Sequence, residues 1–252
     1  MPSEPLRASR LALLGGSLGT ASAGMALAGA AGAMLRVLPP VGGLLLFLVG
    51  VGIGSVALLP ALLGLFGAQA SPDAAGRSAA LRGTLLSLGV VSWAAAGAAR
   101  GCGLPRVADV TTSTDDPPAF VAAAAANPGR DLSYPPQLAA LQQQAWPDLA
   151  TLVVPDAPDA AYDRVRAAVA TLPRLEFAGE SRLEGRIEAT QETVVFHLVD
   201  DLVVRIRPFQ GEGSRVDIRS RARDGKVDFG RNAERLRDLA VRIQAAGPLA
   251  AE

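Results

Sequence analysis

Three stretches without a charged residue run through the first hundred positions: Leu11–Leu35, Val41–Pro72 and Gly83–Ala99. A bilayer core about 30 Å thick is crossed by roughly 20 apolar residues at 1.5 Å rise each. The first two stretches exceed that length and the third approaches it, so the pattern predicts three spans at about 11–35, 41–66 and 83–99. Arg36 and Pro39-Pro40 end the first span, because proline lacks the amide that would continue the helix. A polar connection from Gly67 to Arg82, containing Ser71-Pro72-Asp73, precedes the third, and Arg100 closes it. Arg7 and Arg10 ahead of Ala21-Ser22-Ala23 have the outline of a signal peptide. The apolar run continues to Leu35 without a polar break, which fits a retained helix better.

After Arg106 the pattern becomes that of a folded aqueous domain. Asp115-Asp116-Pro117-Pro118 reads as a helix start, aspartate capping and proline in the first turn, for a short helix from Ala119 to Ala126. A second short helix is expected from Pro136 to Ala145. From Asp156 to Leu172 the residues Ala161, Val165, Ala168, Val169 and Leu172 share one helical face. The period then drops to two. Leu183, Gly185, Ile187 and Ala189 alternate with polar residues, Val194–Val199 reads as an apolar strand, and Asp200-Asp201 reads as a turn. Leu202, Val204 and Ile206, then Val216 and Ile218 beyond the Gly211-Glu212-Gly213 loop, complete a set of antiparallel strands. A closing helix from about Asn232 to Gln244 carries the stripe Ala233, Leu236, Leu239, Ala240 and Ile243. The expected architecture is therefore an α-helical transmembrane anchor over 1–102, followed at 106–246 by an α+β domain. Its antiparallel sheet of about four to five strands is covered by helices.

Charge narrows the function classes. The 24 basic residues equal the 24 acidic ones, which argues against a nucleic-acid binder. A single cysteine, Cys102, forbids an intramolecular disulfide, and a single histidine, His197, forbids zinc sites built from several Cys or His ligands. No ionisable residue falls within an expected span, which argues for an anchor rather than a transport pathway. Small residues recur at four-residue spacing in Gly15/Gly19, Gly24/Ala28/Gly32 and Gly50/Gly54, a pattern for close helix packing within the chain or in a homo-oligomer. Arg7, Arg10, Arg77 and Arg82 against Arg36, Arg100 and Arg106 place the N-terminus in the cytoplasm and the C-terminal domain outside it.

The polar positions of the sheet gather Glu188, Arg205, Arg207, Asp217, Arg219 and Arg221. Such a group either binds an anion through arginine forks or forms cross-strand ion pairs on a solvated face. His197 in a strand reads as a packed residue, and Asp115/Asp116 and Asp200/Asp201 as a cap and a turn. No catalytic residue, metal site or cofactor is expected.

Several stretches of the domain look like one bacterial family: Asp115-Asp116-Pro117-Pro118-Ala119-Phe120, Trp146-Pro147-Asp148, Gly185–Thr190, Asp200–Arg207, Ser214–Ser220 and Gly230-Arg231-Asn232-Ala233. In that order they resemble the family called domain of unknown function 1499, over about Arg106 to Ile243. The resemblance implies a bacterial envelope protein attached to the membrane, and it brings no catalytic residues with it. The reading that follows is a multi-pass protein of the bacterial inner membrane with an extracytoplasmic domain. That domain binds a protein partner or a small anionic ligand; an envelope enzyme or lipid-handling module using the charged cluster is the alternative.

Overall fold

In the computed structural model residues 4–67, 74–211, 213–225 and 227–246 are described, and the chain divides into two units. One comprises Met1–Arg100 with Val194–His197, the other Gly101–Thr193 with Leu198–Glu252.

The first unit is built on α1 (Glu4–Met34), α2 (Pro40–Gly67) and α3 (Ala74–Ala99). Within them Arg10–Met34, Pro40–Gly67 and Ala75–Ala99 are long and apolar enough to cross a membrane, at 25, 28 and 25 residues. Their packing inverts that of a water-soluble bundle. Leu27, Leu59 and Phe66 are more than 60% exposed, whereas the buried face of α2 is Gly43, Phe47, Gly50, Gly54, Ala57, Ala61 and Gly64. Burying leucine gains nothing against lipid tails, so small residues that let backbones approach take the inner face. A Cβ on Gly50 would sit 2.7 Å from the Ala26 amide nitrogen and 2.8 Å from the Ser22 carbonyl oxygen. Ser22 Oγ donates to the Gly50 carbonyl at 2.7 Å, so the close approach also satisfies a buried hydroxyl. Gly15 and Gly19 pack in the same way against Ala61 and Gly83, while Gly24 has nothing within 4 Å.

The third helix is longer than the uncharged stretch predicts. It starts at Ala74, so Arg77 and Arg82 lie within it rather than in a loop, and in this helix the expectation of a span free of ionisable residues holds only from Gly83 onward. Alanine and arginine both favour helix, and arginine stems reach outward along an apolar surface, so two charges near a helix start do not end it. Ser71-Pro72-Asp73 lies outside the described residues.

In the second unit the sheet runs β1 (Asp109–Thr111), β6 (Gly213–Ala222), β5 (Val199–Phe209), β4 (Arg186–Glu192), β3 (Leu175–Ser181), with β2 (Leu152–Val154) also pairing with β6. Every pairing is antiparallel. One face carries Ile187, Leu202, Val204, Ile206, Val216 and Ile218 into the core. That face is covered by α6 (Pro158–Ala170) and α7 (Arg231–Ala245), through the stripes Ala161–Val165–Val169 and Leu236–Leu239–Ile243. Two short helices, α4 (Ala122–Ala126) and α5 (Pro136–Ala145), complete the unit.

Two local expectations are corrected. Val194–Val199 is not a strand: Val194–Phe196 form the turn between β4 and β5. Asp200 and Asp201 are not a turn but the second and third residues of β5, each 1% exposed. They are accepted there because arginines neutralise both, Arg235 and Arg231 on one face of the sheet and Arg130 and Arg223 on the other. Of the Gly211-Glu212-Gly213 loop, Glu212 is outside the described residues.

The helix packing gives a paired test. Gly50→Val, which drives side-chain atoms into α1, should destabilise the full chain in detergent by about 1–3 kcal/mol. Gly52→Val, two positions away with nothing within 4 Å of its Cβ, should leave the melting temperature unchanged.

Candidate functional site

The face of the sheet opposite α6 and α7 is the polar one. Register places Glu188 against Val203, Arg205 against Asp217, Arg207 against Arg215, Val203 against Arg219 and Asp201 against Arg221. All therefore point to one side. That side is not an open solvated surface: Phe120, Ala123 and Leu132 close over Val203 in a small apolar cluster. The charges of the predicted cluster are consequently divided among four local environments.

Glu188 is fixed by the chain laid over it. It is 2% exposed, and its carboxylate accepts from the backbone amides of Val121, Ala122 and Ala123 at 2.9, 2.9 and 3.1 Å. The start of a helix leaves its first amides without partners. Here a strand glutamate supplies them, not Asp115 or Asp116, so the expected aspartate cap is corrected.

Arg219 is equally committed. Its Nε and Nη2 donate to the two Asp109 oxygens at 2.9 and 2.7 Å, and Nη1 and Nη2 reach the Pro118 and Leu132 carbonyls. Its guanidinium lies 4.9 Å from the Phe120 ring centre and 5.3 Å from that of Tyr134. Burial, with the Asp109 charge, raises the Tyr134 hydroxyl far above its ordinary value.

Asp217 gathers the third group. Its Oδ2 accepts from Arg205 and Arg207, both at 2.9 Å, and Oδ1 from Thr151 at 2.6 Å and Arg215 at 3.2 Å. Burial pushes this carboxyl upward, but hydrogen bonds from Thr151, Arg205 and Arg215 outweigh it and hold the group below the usual carboxylate value. Asp116 closes the outer side, accepting from Arg205 at 3.0 Å and Arg207 at 2.8 Å. Those bonds hold its carboxyl low as well. The group borders an open cleft of about 700 Å³ whose wall includes Thr112, Ser113, Thr114, Arg207 and Arg215.

Arg221 belongs to a separate cleft of about 360 Å³, shared with Arg106, Arg130, Asp131 and Arg223. Arg223 was legible as the next step of the alternation Arg219, Arg221. Arg106, Arg130, Asp116 and Thr151 carry no such signal, since loops bring them in. Among the described residues no group of three His, Cys, Asp or Glu side chains gathers as for a metal. His197 lies outside all four environments, in the connection after β4.

The Asp217 network has a pH signature. Its carboxyl is lower in the folded chain than the value near 4 expected when unfolded. It therefore contributes stability above about pH 4, and that contribution is lost as pH falls through the folded value. Asp217→Asn should cost about 2 kcal/mol at pH 7, and its gap from the native chain should narrow toward pH 3 in thermal unfolding. A gap independent of pH would contradict the network.

No curated protein matches the chain. Among solved structures it is similar to TTHA0849 from Thermus thermophilus, 16% identical, covering 39% of this chain and 97% of that one with a TM-score of 0.24, a likeness too slight to build on. The family described as Protein of unknown function (DUF1499) matches residues 109–243, more than half of the sequence and nearly all of the α+β unit, and the chain belongs to that family.

Proposed function

We propose that the chain is a membrane-anchored binding module of the bacterial cell envelope, not an enzyme. Three helices hold it in the inner, cytoplasmic membrane, and the α+β domain faces away from the cytoplasm and binds a small anionic ligand. A protein partner is the second occupant the sequence admits.

The commitment of the carboxylates is the observation that supports this reading. A general base or a nucleophile needs a carboxylate whose lone pairs are free to meet substrate. Glu188 gives its two oxygens to three amides, and Asp217 gives its pair to four donors. Asp109 is held by the Arg219 fork. Arginine side chains reach solvent beside them, Arg207 and Arg215 at 38% and 36% exposed, together with Asp116 at 58%. Buried carboxylates saturated by fixed donors, with guanidinium groups beside them, suit recognition of an anion more than proton transfer. The membrane orientation rests on the arginines at the helix ends.

Two measurements check this. Reporter fusions after Glu252 should give active alkaline phosphatase and dark green fluorescent protein, and the reverse pattern would refute the orientation. Purified full chain incubated with model phosphate, sulfate and carboxylic esters should release no product above background. Product release that Asp217→Asn abolishes would establish an enzyme instead.

A further inference from the structure

The two polar clefts differ in their balance of charge. At the larger one Arg205, Arg207 and Arg215 meet Asp115, Asp116 and Asp217 one for one, and Asp116 already fills the outward forks of Arg205 and Arg207. The smaller cleft has no such balance. Arg106, Arg130, Arg221 and Arg223 line it, with Arg219 beneath, against Asp109, Asp131 and Asp201.

Two of the three carboxylates there are also poorly placed to neutralise the mouth, and Asp131 is the exposed one. Asp109 and Asp201 have side chains 6% and 1% exposed and are drawn inward by Arg219, Arg130 and Arg223. Asp131 turns one oxygen to the Ser133 amide at 2.9 Å. Arg221 has 3.3 Å to Asp109, longer than the Arg219 bond to the same oxygen, and its other contact is the Ser133 carbonyl at 3.1 Å. Burial lowers its proton affinity; Asp109 and Asp131 oppose that shift, and the neighbouring charges of Arg130 and Arg219 add to it. Arg106 is exposed at the rim. Five guanidinium groups thus face three carboxylates, two of them buried and only Asp131 exposed at the mouth.

Resting on the binding reading above, we propose that this cleft is an oxyanion site for a phosphate group, held by Arg106, Arg130, Arg221 and Arg223. Guanidinium forks match phosphate oxygens two at a time. The same chemistry is offered by free phosphate and by the phosphate of an anionic lipid headgroup.

Calorimetric titration of the purified full chain in a nonionic detergent, at constant ionic strength, separates these. One arm uses inorganic phosphate, the other dihexanoyl phosphatidylglycerol below its micelle concentration. Saturable binding should weaken about tenfold or more in Arg106→Gln and Arg221→Gln, the loss of one charge-assisted contact, and stay unchanged in Arg174→Gln, an exposed arginine outside the cleft. Arg106 makes no internal ion pair among the described residues, so its variant tests the site without disturbing the fold. Tighter binding of the lipid assigns the site to a headgroup, and tighter binding of inorganic phosphate to the free ion. Affinity unchanged in both variants but lost in Arg207→Gln would overturn this site and leave the binding reading standing. Absence of binding in both arms would overturn the site, and the ester assay then decides the broader reading on its own.

Discussion

Buried carboxylates set the terms for the α+β unit. Glu188, Asp200, Asp201 and Asp217 are each at most 2% exposed, all on the central strands β4, β5 and β6. An unpaired charge in such a place costs several kcal/mol, and a paired one comes close to balance. The network therefore adds little net stability but penalises any arrangement that leaves a member unmatched. A one-residue slip of β5 against β6 would turn Asp201 and Arg205 to the face of α6 and α7 and strand their partners. Arginines from loops, strand ends and α7 complete the pairing, and the segment carrying Val121–Ala123 is held against the sheet by the amides it gives to Glu188.

The two units answer opposite solvents. In the helical unit the inner face is glycine and alanine and leucine points out, with one buried serine hydroxyl satisfied by a neighbouring carbonyl. In the α+β unit leucine, isoleucine and valine are inside. Lipid removes the reward for burying apolar surface, and close backbone contact replaces it. Water restores the reward, so α6 and α7 bury their stripes against the sheet.

What the sequence discloses follows from which forces are local. Hydrophobic period is local, so the three apolar helices, the faces of α6 and α7, and the alternation along β5 and β6 were all legible, as was the antiparallel α+β class. The register also puts Glu188, Arg205, Arg207, Asp217, Arg219 and Arg221 on one side of the sheet, as an alternation of period two implies. Their partners were not legible, because they lie far along the chain: Asp116 is 89 positions from Arg205 and Asp109 is 110 from Arg219. The same distance explains the misread aspartates. Asp200-Asp201 has the local composition of a turn, and Asp115-Asp116 that of a helix cap. Long-range arginines overrule the first, and Glu188, 65 to 67 positions from the amides it accepts from, displaces the second.

The central claim is that strand carboxylates organise the covering segment, and hydrogen exchange at the amides of Val121, Ala122 and Ala123 tests it most directly. In the full chain these amides should be protected. In Glu188→Gln they should exchange about 10-fold faster or more, while β5 and β6 keep their protection. Protection at the three amides that is unchanged by the substitution would show that the segment holds its place without Glu188, and would contradict the account.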